Sequence, residues 1–149
     1  MKSLFNKPEA NEILTRISKL TPSLERQWGK MTPDQMLAHC RLSFLTAMDE
    51  MKAPRTLMGK VIGRFFKQIA IGDKEFQKNS PTHKLFIVTD KKNFEAEKEL
   101  LHSTVKKFAE GGEIKVTHEP HAFFGNLTPA EWGILMYKHM DHHLRQFGA

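Results

Sequence analysis

Apolar residues recur along most of this chain at intervals of three and four, the spacing that places them on one face of an α-helix. In the first such segment, Ile13, Leu14, Ile17 and Leu20 share a face. The same spacing predicts five helical segments, at about 8–20, 32–51, 56–71, 94–110 and 128–147. No strand pattern competes with them in number, so the sequence predicts an all-α bundle.

Two of the predicted helices begin with the same capping signal, TPDQ at 32–35 and TPAE at 128–131. Each segment places a threonine at the N-cap, a proline at the first helical position and Gln or Glu at the third. The threonine side chain can accept a hydrogen bond from the third amide, while the Gln or Glu side chain reaches back to the cap. These two helix starts are therefore well defined, and Glu131 is best explained as part of a cap.

Two long connections separate the predicted helices. Residues 72–93 contain the turn signal NSPT and the apolar stretch LFIV, which is either a short strand or an extended loop that fits into the core. Residues 113–126 follow Gly111 and Gly112, which end the fourth helix. The expected architecture is one domain over residues 1–149, a helical bundle with two long irregular loops.

Composition limits the class of protein. The chain has 149 residues, of which 40% are hydrophobic and 9% aromatic, as in ordinary globular proteins. No apolar run reaches the roughly 18 residues that a membrane-spanning helix needs, and the first residues do not resemble a secretory signal. The single cysteine, Cys40, excludes an internal disulfide and fits a reducing compartment. We therefore expect a cytoplasmic protein.

The net charge of +6 is concentrated in one segment. Between residues 52 and 67 there is no acidic residue, whereas five are basic: Lys52, Arg55, Lys60, Arg64 and Lys67. Such a stripe could attract phosphates or an anionic membrane surface, but a solvated helix face is the simpler interpretation. No nucleic-acid motif is present, and we expect neither nucleic acid nor membrane as a partner. Gly59 and Gly63 in this segment indicate close packing of two helices.

The last predicted helix carries the most informative chemistry. His139 and His143 lie one turn apart on the face that also holds Trp132 and Met136, so both imidazoles are expected to point inward. Buried imidazoles need partners, and one metal ion would satisfy both. The best third ligand is His39 on the second helix. A core of hydrogen-bonded histidines remains an alternative, because the HxxxH spacing also arises by chance.

Other candidate residues have weaker signals. His142 is rotated about 100° from its neighbour, which suggests a position behind the ligands or at the surface. His121 lies in the second connection, where it could face a substrate or solvent. Cys40 adjoins His39 but points to another face, so a buried structural thiol is the preferred interpretation.

Four segments of the chain resemble one family. They are WGKMTPDQMLAHC, KNSPT, HAFFGNLTPAEWG and YKHMDHHLRQFG, and they are similar to uncharacterised bacterial proteins within the DinB-like metal-binding helical bundles. The resemblance covers nearly the whole chain. It implies a four-helix core in DinB-like order, with the first helix or a loop segment as an addition. It also implies a divalent metal held by His39, His139 and His143.

The chain departs from the DinB-like pattern just after the last ligand. Many DinB-like proteins have one residue and then Gly-Gln at this point, whereas this chain has Leu144, Arg145 and Gln146. The helix is therefore bulkier and more basic beyond the site. We expect the substrate pocket to differ from that of the characterised relatives.

The resemblance implies a metal-dependent enzyme acting on a small-molecule substrate. Three histidines leave coordination positions open, and zinc, nickel or iron would suit them about equally. The metal would activate a low-molecular-weight thiol or water for attack on an electrophile, as in a thiol S-transferase or a hydrolase. Arg145 or the basic stripe could hold an anionic thiol.

The alternative is a non-catalytic metal-binding or interaction module with a vestigial site. The segment around Gly59 and Gly63 would then serve as its interface. A homodimer is also possible, since related bundles often pair.

Overall fold

The computed structural model describes all 149 residues and contains five α-helices and no β-strand. The helices are α1 (Lys7–Ser18), α2 (Pro33–Ala47), α3 (Leu57–Ile71), α4 (Phe94–Gly111) and α5 (Pro129–Gln146). Each helix coincides with a predicted helical segment, so the all-α class is confirmed. Two short 3-10 turns, Lys84–Phe86 and Gly112–Lys115, lie in the long connections.

Capping interactions fix the starts of α2 and α5. At α5 the Glu131 amide donates to the Thr128 hydroxyl at 3.2 Å, and the Thr128 amide donates to the Glu131 carboxylate at 2.7 Å. At α2 the Thr32 amide donates to the Gln35 side chain at 3.0 Å. These contacts set the register of the two helices that carry the candidate ligands.

Most of the core side chains come from α1, α2, α4 and α5, and α3 contributes little to the core. α2 packs on α4 and α5, and α1 packs on the same two helices, whereas the helix partner of α3 is α5. The hydrophobic cluster contains 23 buried residues, to which α3 contributes only Ala70. Among the largest fully buried side chains are Phe44 of α2, Phe108 of α4 and Trp132 of α5. The contact between α2 and α5 brings the candidate histidines together.

The second helix ends earlier than predicted, at Ala47 rather than about Met51. Asp49 adopts a left-handed backbone conformation, with φ of 63°. The chain therefore turns back on the helix end, and the Glu50 amide donates to the Leu45 carbonyl at 2.8 Å. An aspartate tolerates this conformation, but nothing in the apolar spacing announces it.

The stretch LFIV does not form a strand. Residues Lys84–Phe86 make a 3-10 turn, which begins with the Leu85 amide donating to Nδ1 of His83 at 3.2 Å. Val88 is buried, whereas the side chains of Leu85 and Ile87 are exposed. The alternative prediction, an extended loop that fits into the core, therefore describes Val88 alone.

Gly59 and Gly63 do not pack against a second helix, contrary to the prediction. Both face the backbone of Phe123, in the connection before α5. A Cβ atom at Gly59 would lie 2.6 Å from the Phe123 carbonyl oxygen, and one at Gly63 would overlap that oxygen. The two glycines thus let a loop approach α3 closely, and that loop carries His121.

The basic stripe is partly neutralised by acids from elsewhere in the chain. Lys52 pairs with Asp49 at 2.6 Å, and Lys67 pairs with Glu131 at 2.8 Å. The stripe therefore does not present five free cations to a ligand. None of the five helices has the length and hydropathy that crossing a lipid bilayer requires.

Candidate metal centre

Three histidine side chains meet between α2 and α5. Nε2 of His39 lies 3.1 Å from Nε2 of His139 and 3.1 Å from Nε2 of His143. His39 and His143 are 5% and 8% exposed, and His139 is partly exposed. The three ring nitrogens face one small volume, and three such histidines could hold a metal ion.

Oxygen acceptors hold two of the three rings from behind. Nδ1 of His39 lies 2.8 Å from the Phe86 carbonyl oxygen, and Nδ1 of His143 lies 2.8 Å from Oε1 of Gln146. The Gln146 amide is oriented by its nitrogen, which donates to the Trp28 carbonyl at 2.8 Å. Because these oxygens only accept, each Nδ1 carries the ring proton. The Nε2 atoms of His39 and His143 therefore present lone pairs.

Two lone pairs at 3.1 Å need a positive charge between them. Burial lowers the pKa of all three imidazoles, and the lowering is large for His139 and His143. A bridging proton is therefore disfavoured at neutral pH. In a purely hydrogen-bonded core, Nε2 of His139 could donate a proton to Nε2 of His39. The contact between His39 and His143 would then have two acceptors and no proton between them.

The arrangement fits a divalent metal. Imidazole nitrogens that share one zinc ion at about 2.0–2.1 Å in a tetrahedron lie about 3.4 Å apart, close to the separations observed here. Hydrogen bonds from Nδ1 to a carbonyl or amide oxygen are the usual support for metal-binding histidines. Nδ1 of His139 is the exception, because it is buried and has no hydrogen-bond partner.

Sequence reasoning missed both oxygen acceptors. Gln146 lies three residues after His143 on the same helix, so the spacing offered a signal. Phe86 contributes its backbone carbonyl from the 3-10 turn, and no side-chain pattern could reveal that contact. The LFIV stretch thus matters to the site through its backbone.

His142 packs beside the cluster and supplies no nitrogen to it. Its ring lies 5.5 Å from that of Trp28, 5.9 Å from that of Phe76 and 5.1 Å from that of His143. Burial lowers the pKa of His142, and the charge of Arg145 lowers it further. His142 is thus an aromatic support behind His143.

Arg145 is engaged at the surface. Its guanidinium forms two contacts with the Glu75 carboxylate, at 2.6 and 3.0 Å, and lies 3.8 Å from Asp141. The sequence predicts that the positive charge of Arg145 could hold an anionic ligand, but Glu75 and Asp141 already balance that charge. That balance weakens the case for Arg145 as an anion-binding residue.

His121 organises the turn that precedes α5. Its Nδ1 accepts hydrogen bonds from the amides of Phe123 and Phe124, each at 3.1 Å, so the ring proton lies on Nε2. The ring lies 4.6 Å from that of Phe124 and 5.4 Å from that of Trp132. Burial, followed by the charge of Arg55, lowers the pKa of His121 to about 4. The ring is therefore neutral at pH 7.

The thiol of Cys40 is not available as a nucleophile. The side chain is fully buried, and burial raises its pKa above the usual range. The thiol lies 3.8 Å from the sulfur of Met36, one turn earlier in α2. The residue is a small core side chain, as the sequence predicted.

Comparison with known proteins adds a family but no activity. No curated protein matches the chain, and no solved structure does. The profile of a family described as "Protein of unknown function" matches residues 3–149, a span that includes His39, His139 and His143. Because this match covers nearly the whole sequence, the chain belongs to that family, DUF1569.

Proposed function

We propose that this protein is a divalent-metal-dependent enzyme whose metal is held by His39, His139 and His143. The observation that carries the proposal is the position of the ring protons. Phe86 and Gln146 hold them on Nδ1 of His39 and His143, and this leaves two lone pairs 3.1 Å apart in a buried site. Burial keeps the imidazoles neutral, which is the form that binds metal.

The proposed chemistry is attack of a low-molecular-weight thiol or water on a small electrophile, as in a thiol S-transferase or a hydrolase. A divalent metal on three imidazoles supplies Lewis-acid chemistry that makes such a nucleophile reactive at neutral pH. The chain fixes the ring orientations through Phe86 and Gln146 and limits water around His39 and His143. Zinc, nickel and iron all suit the imidazole donors.

The packing supports a DinB-like assignment, which we propose as the finer description of the fold. α1, α2, α4 and α5 would form the four-helix core, with α3 added outside it, since α3 contributes one residue to the hydrophobic cluster. The candidate ligands lie on α2 and α5, as the resemblance implies. The buried, unpaired thiol of Cys40 supports a cytoplasmic location.

Metal analysis of protein purified without added metal tests the proposal. We expect about one divalent ion per wild-type chain and far less in His39→Ala and His143→Ala. His118→Ala is a matched control, because His118 is exposed and outside the cluster. Wild-type protein that carries no stoichiometric metal, and binds none after addition, would refute the proposal.

A non-catalytic metal-binding module is the second candidate, and one observation favours it. His39 and His143 are 5% and 8% exposed, which leaves a substrate little access to the centre. Conjugation and hydrolysis assays with the metal-loaded protein separate the two functions. Turnover above that of His39→Ala supports the enzyme, whereas bound metal without turnover supports the module.

A further inference from the structure

One side of α3 is apolar and faces away from the protein. Most of the large hydrophobic side chains that the chain exposes lie on this helix, and each is between 43% and 80% exposed: Leu57, Met58, Val61, Phe65, Phe66 and Ile69. We call these six side chains the α3 face. Single apolar residues are common on protein surfaces, but a continuous set along one helix is typical of a binding surface.

Small residues hold the other side of α3 against the protein. Gly59 and Gly63 lie against the backbone of Phe123, and Ala70 is buried in the core. These contacts are spread over three turns, so the helix lies along the protein surface and its large apolar side chains point outward. A helix that served only to cover the core would have the reverse arrangement.

Positive charges accompany the α3 face. Residues 51–72 include no aspartate and no glutamate. Lys60 and Arg64 are exposed and form no ion pair within the chain, and the guanidinium carbon of Arg64 lies 5.0 Å from the ring centre of Phe65. On a helical wheel both cations lie at one edge of the apolar side chains. The exposed side of the helix therefore combines a broad apolar surface with unpaired positive charge.

From this arrangement we propose that the α3 face binds the surface of a membrane that contains anionic lipids. Helices of this kind lie in the plane of the bilayer, with aromatic and aliphatic side chains at the boundary of the acyl chains. The flanking Lys and Arg side chains extend to the level of the headgroups. α3 has 15 residues, fewer than the roughly 20 that a spanning helix needs, so it lies on the bilayer and does not cross it.

The charges select an anionic lipid surface over a second copy of the chain. A second copy that used the same face would add two more cations, Lys60 and Arg64, and no acidic residue from α3 to neutralise them. An anionic bilayer offers many negative headgroups beside a continuous apolar layer, and these headgroups attract each nearby Lys or Arg. The net charge of +6 over the whole chain acts in the same direction.

The sequence pattern alone favours a solvated face for residues 52–67, because it does not show which side of the helix the protein covers. In the structure the protein covers Gly59 and Gly63, and the large apolar side chains of the α3 face are exposed. Water solvates such a surface poorly, whereas a bilayer buries it. We therefore replace the expectation that no membrane is a partner.

Binding to lipid vesicles tests the proposal. We expect wild-type protein to sediment with vesicles of phosphatidylcholine and about 30% phosphatidylserine, and to partition about 10-fold more weakly onto phosphatidylcholine alone. Lys60→Gln combined with Arg64→Gln should lower the partition coefficient on the anionic vesicles about 10- to 30-fold. Val61→Ser combined with Phe65→Ser should lower it at least as much, because less apolar surface enters the bilayer. All four positions are exposed, so both variants should keep the helical circular dichroism of the wild type.

Two matched variants provide the controls, and both should bind vesicles as the wild type does. Lys19→Gln combined with Lys91→Gln removes the same charge from exposed positions outside α3. Ile114→Ser removes an apolar side chain that is 91% exposed on the turn after α4.

Three results would overturn the proposal. The first is a wild type that stays in solution with both kinds of vesicle, and the second is equal binding to both kinds. The third is a control variant that weakens binding as much as the α3 variants do. A wild type that binds no vesicle and has twice the chain mass of 17.2 kDa would assign the α3 face to a second copy instead.

Discussion

At the scale of single residues, the oxygen acceptors determine what the three histidines can bind. Phe86 and Gln146 hold the ring protons of His39 and His143 on the outer nitrogens, so the inner nitrogens are free to coordinate. Burial in apolar surroundings keeps these rings neutral, but burial alone does not fix their orientation. The hydrogen bonds add orientation, which a three-nitrogen site needs if its donors are to meet at one point.

Gln146 offers a direct test of this role. Gln146→Ala removes the acceptor of His143, and we expect the metal affinity to fall about 10- to 100-fold. Gln146→Glu keeps an oxygen for His143 but loses the amide nitrogen that donates to the Trp28 carbonyl, so it should retain only part of the affinity. Competition with a chromophoric chelator measures both variants, with exposed Gln77→Ala as the control. Equal affinity in wild type and Gln146→Ala would show that the hydrogen bond does not support the site.

His121 makes stability depend on pH. Its pKa is about 4 in the folded protein and 6.5 when unfolded, so the unfolded chain binds the extra proton as the pH falls below 6.5. Its contribution to stability is therefore present above pH 6.5 and lost as the pH approaches 4. The loss between pH 7 and pH 5 is about 2 kcal/mol.

Urea unfolding of metal-free protein at pH 7 and pH 5 measures that contribution. His121→Asn keeps an acceptor for the Phe123 and Phe124 amides but does not titrate. It should lose about 2 kcal/mol less than wild type over this interval, whereas His118→Asn should follow the wild type. The same pH dependence in wild type and His121→Asn would contradict the assignment.

The cluster of three histidines could be predicted from the sequence, but the oxygen atoms that hold its rings could not all be found there. His139 and His143 are four residues apart on a face that also holds Trp132, which indicates inward imidazoles. Gln146 follows the same spacing and could have been identified. The carbonyl of Phe86 could not, because every residue has one and only the path of the loop selects it.

At the scale of elements, a strong apolar periodicity predicts where a helix lies. It predicts less well which other part of the chain the helix packs against. The capping signals placed the starts of α2 and α5 within a residue. The spacing of Gly59 and Gly63 predicts a helix contact, yet both glycines face the backbone of Phe123 in a loop. A missing Cβ permits close approach of any backbone, so the spacing could not say which one.

Two glycine substitutions test that assignment through effects of different size. Gly63→Ala places a Cβ on the Phe123 carbonyl and should lower the free energy of unfolding by about 1–3 kcal/mol. Gly111→Ala, at the end of α4, places its Cβ 2.8 Å from Cβ of Lys115, so local crowding offsets the entropy gain and the free energy of unfolding should change much less than in Gly63→Ala. Denaturant unfolding at pH 7 compares them. A Gly63→Ala protein as stable as wild type would mean that the loop does not lie against α3.

At the scale of the whole molecule, the candidate centre joins α2 to α5 and also involves the first long connection and the segment before α2. Phe86 belongs to the first connection, and Gln146 is tied to the segment before α2 through the Trp28 carbonyl. A ligand that binds only the folded state raises its stability. Metal held by these side chains should therefore stabilise the chain as a unit.

Chelation tests this coupling. At a free metal concentration 100 times the dissociation constant, binding adds about 2.7 kcal/mol to the stability. Adding a chelator should lower the melting temperature of wild type and of His118→Ala by several degrees, roughly 4 °C or more. It should leave that of His143→Ala unchanged. If the chelator leaves the melting temperature of the wild type unchanged, metal binding is not linked to folding.

X-ray absorption at the zinc edge tests the central claim most directly, because it identifies the atoms that bind the metal. For zinc-loaded protein we expect three imidazole nitrogens at about 2.0–2.1 Å and no sulfur neighbour, and loss of this imidazole signal in His143→Ala. A sulfur neighbour at about 2.3 Å would point instead to Cys40, the one cysteine of the chain. Sulfur coordination, or an imidazole signal that survives in His143→Ala, would contradict the three-histidine centre.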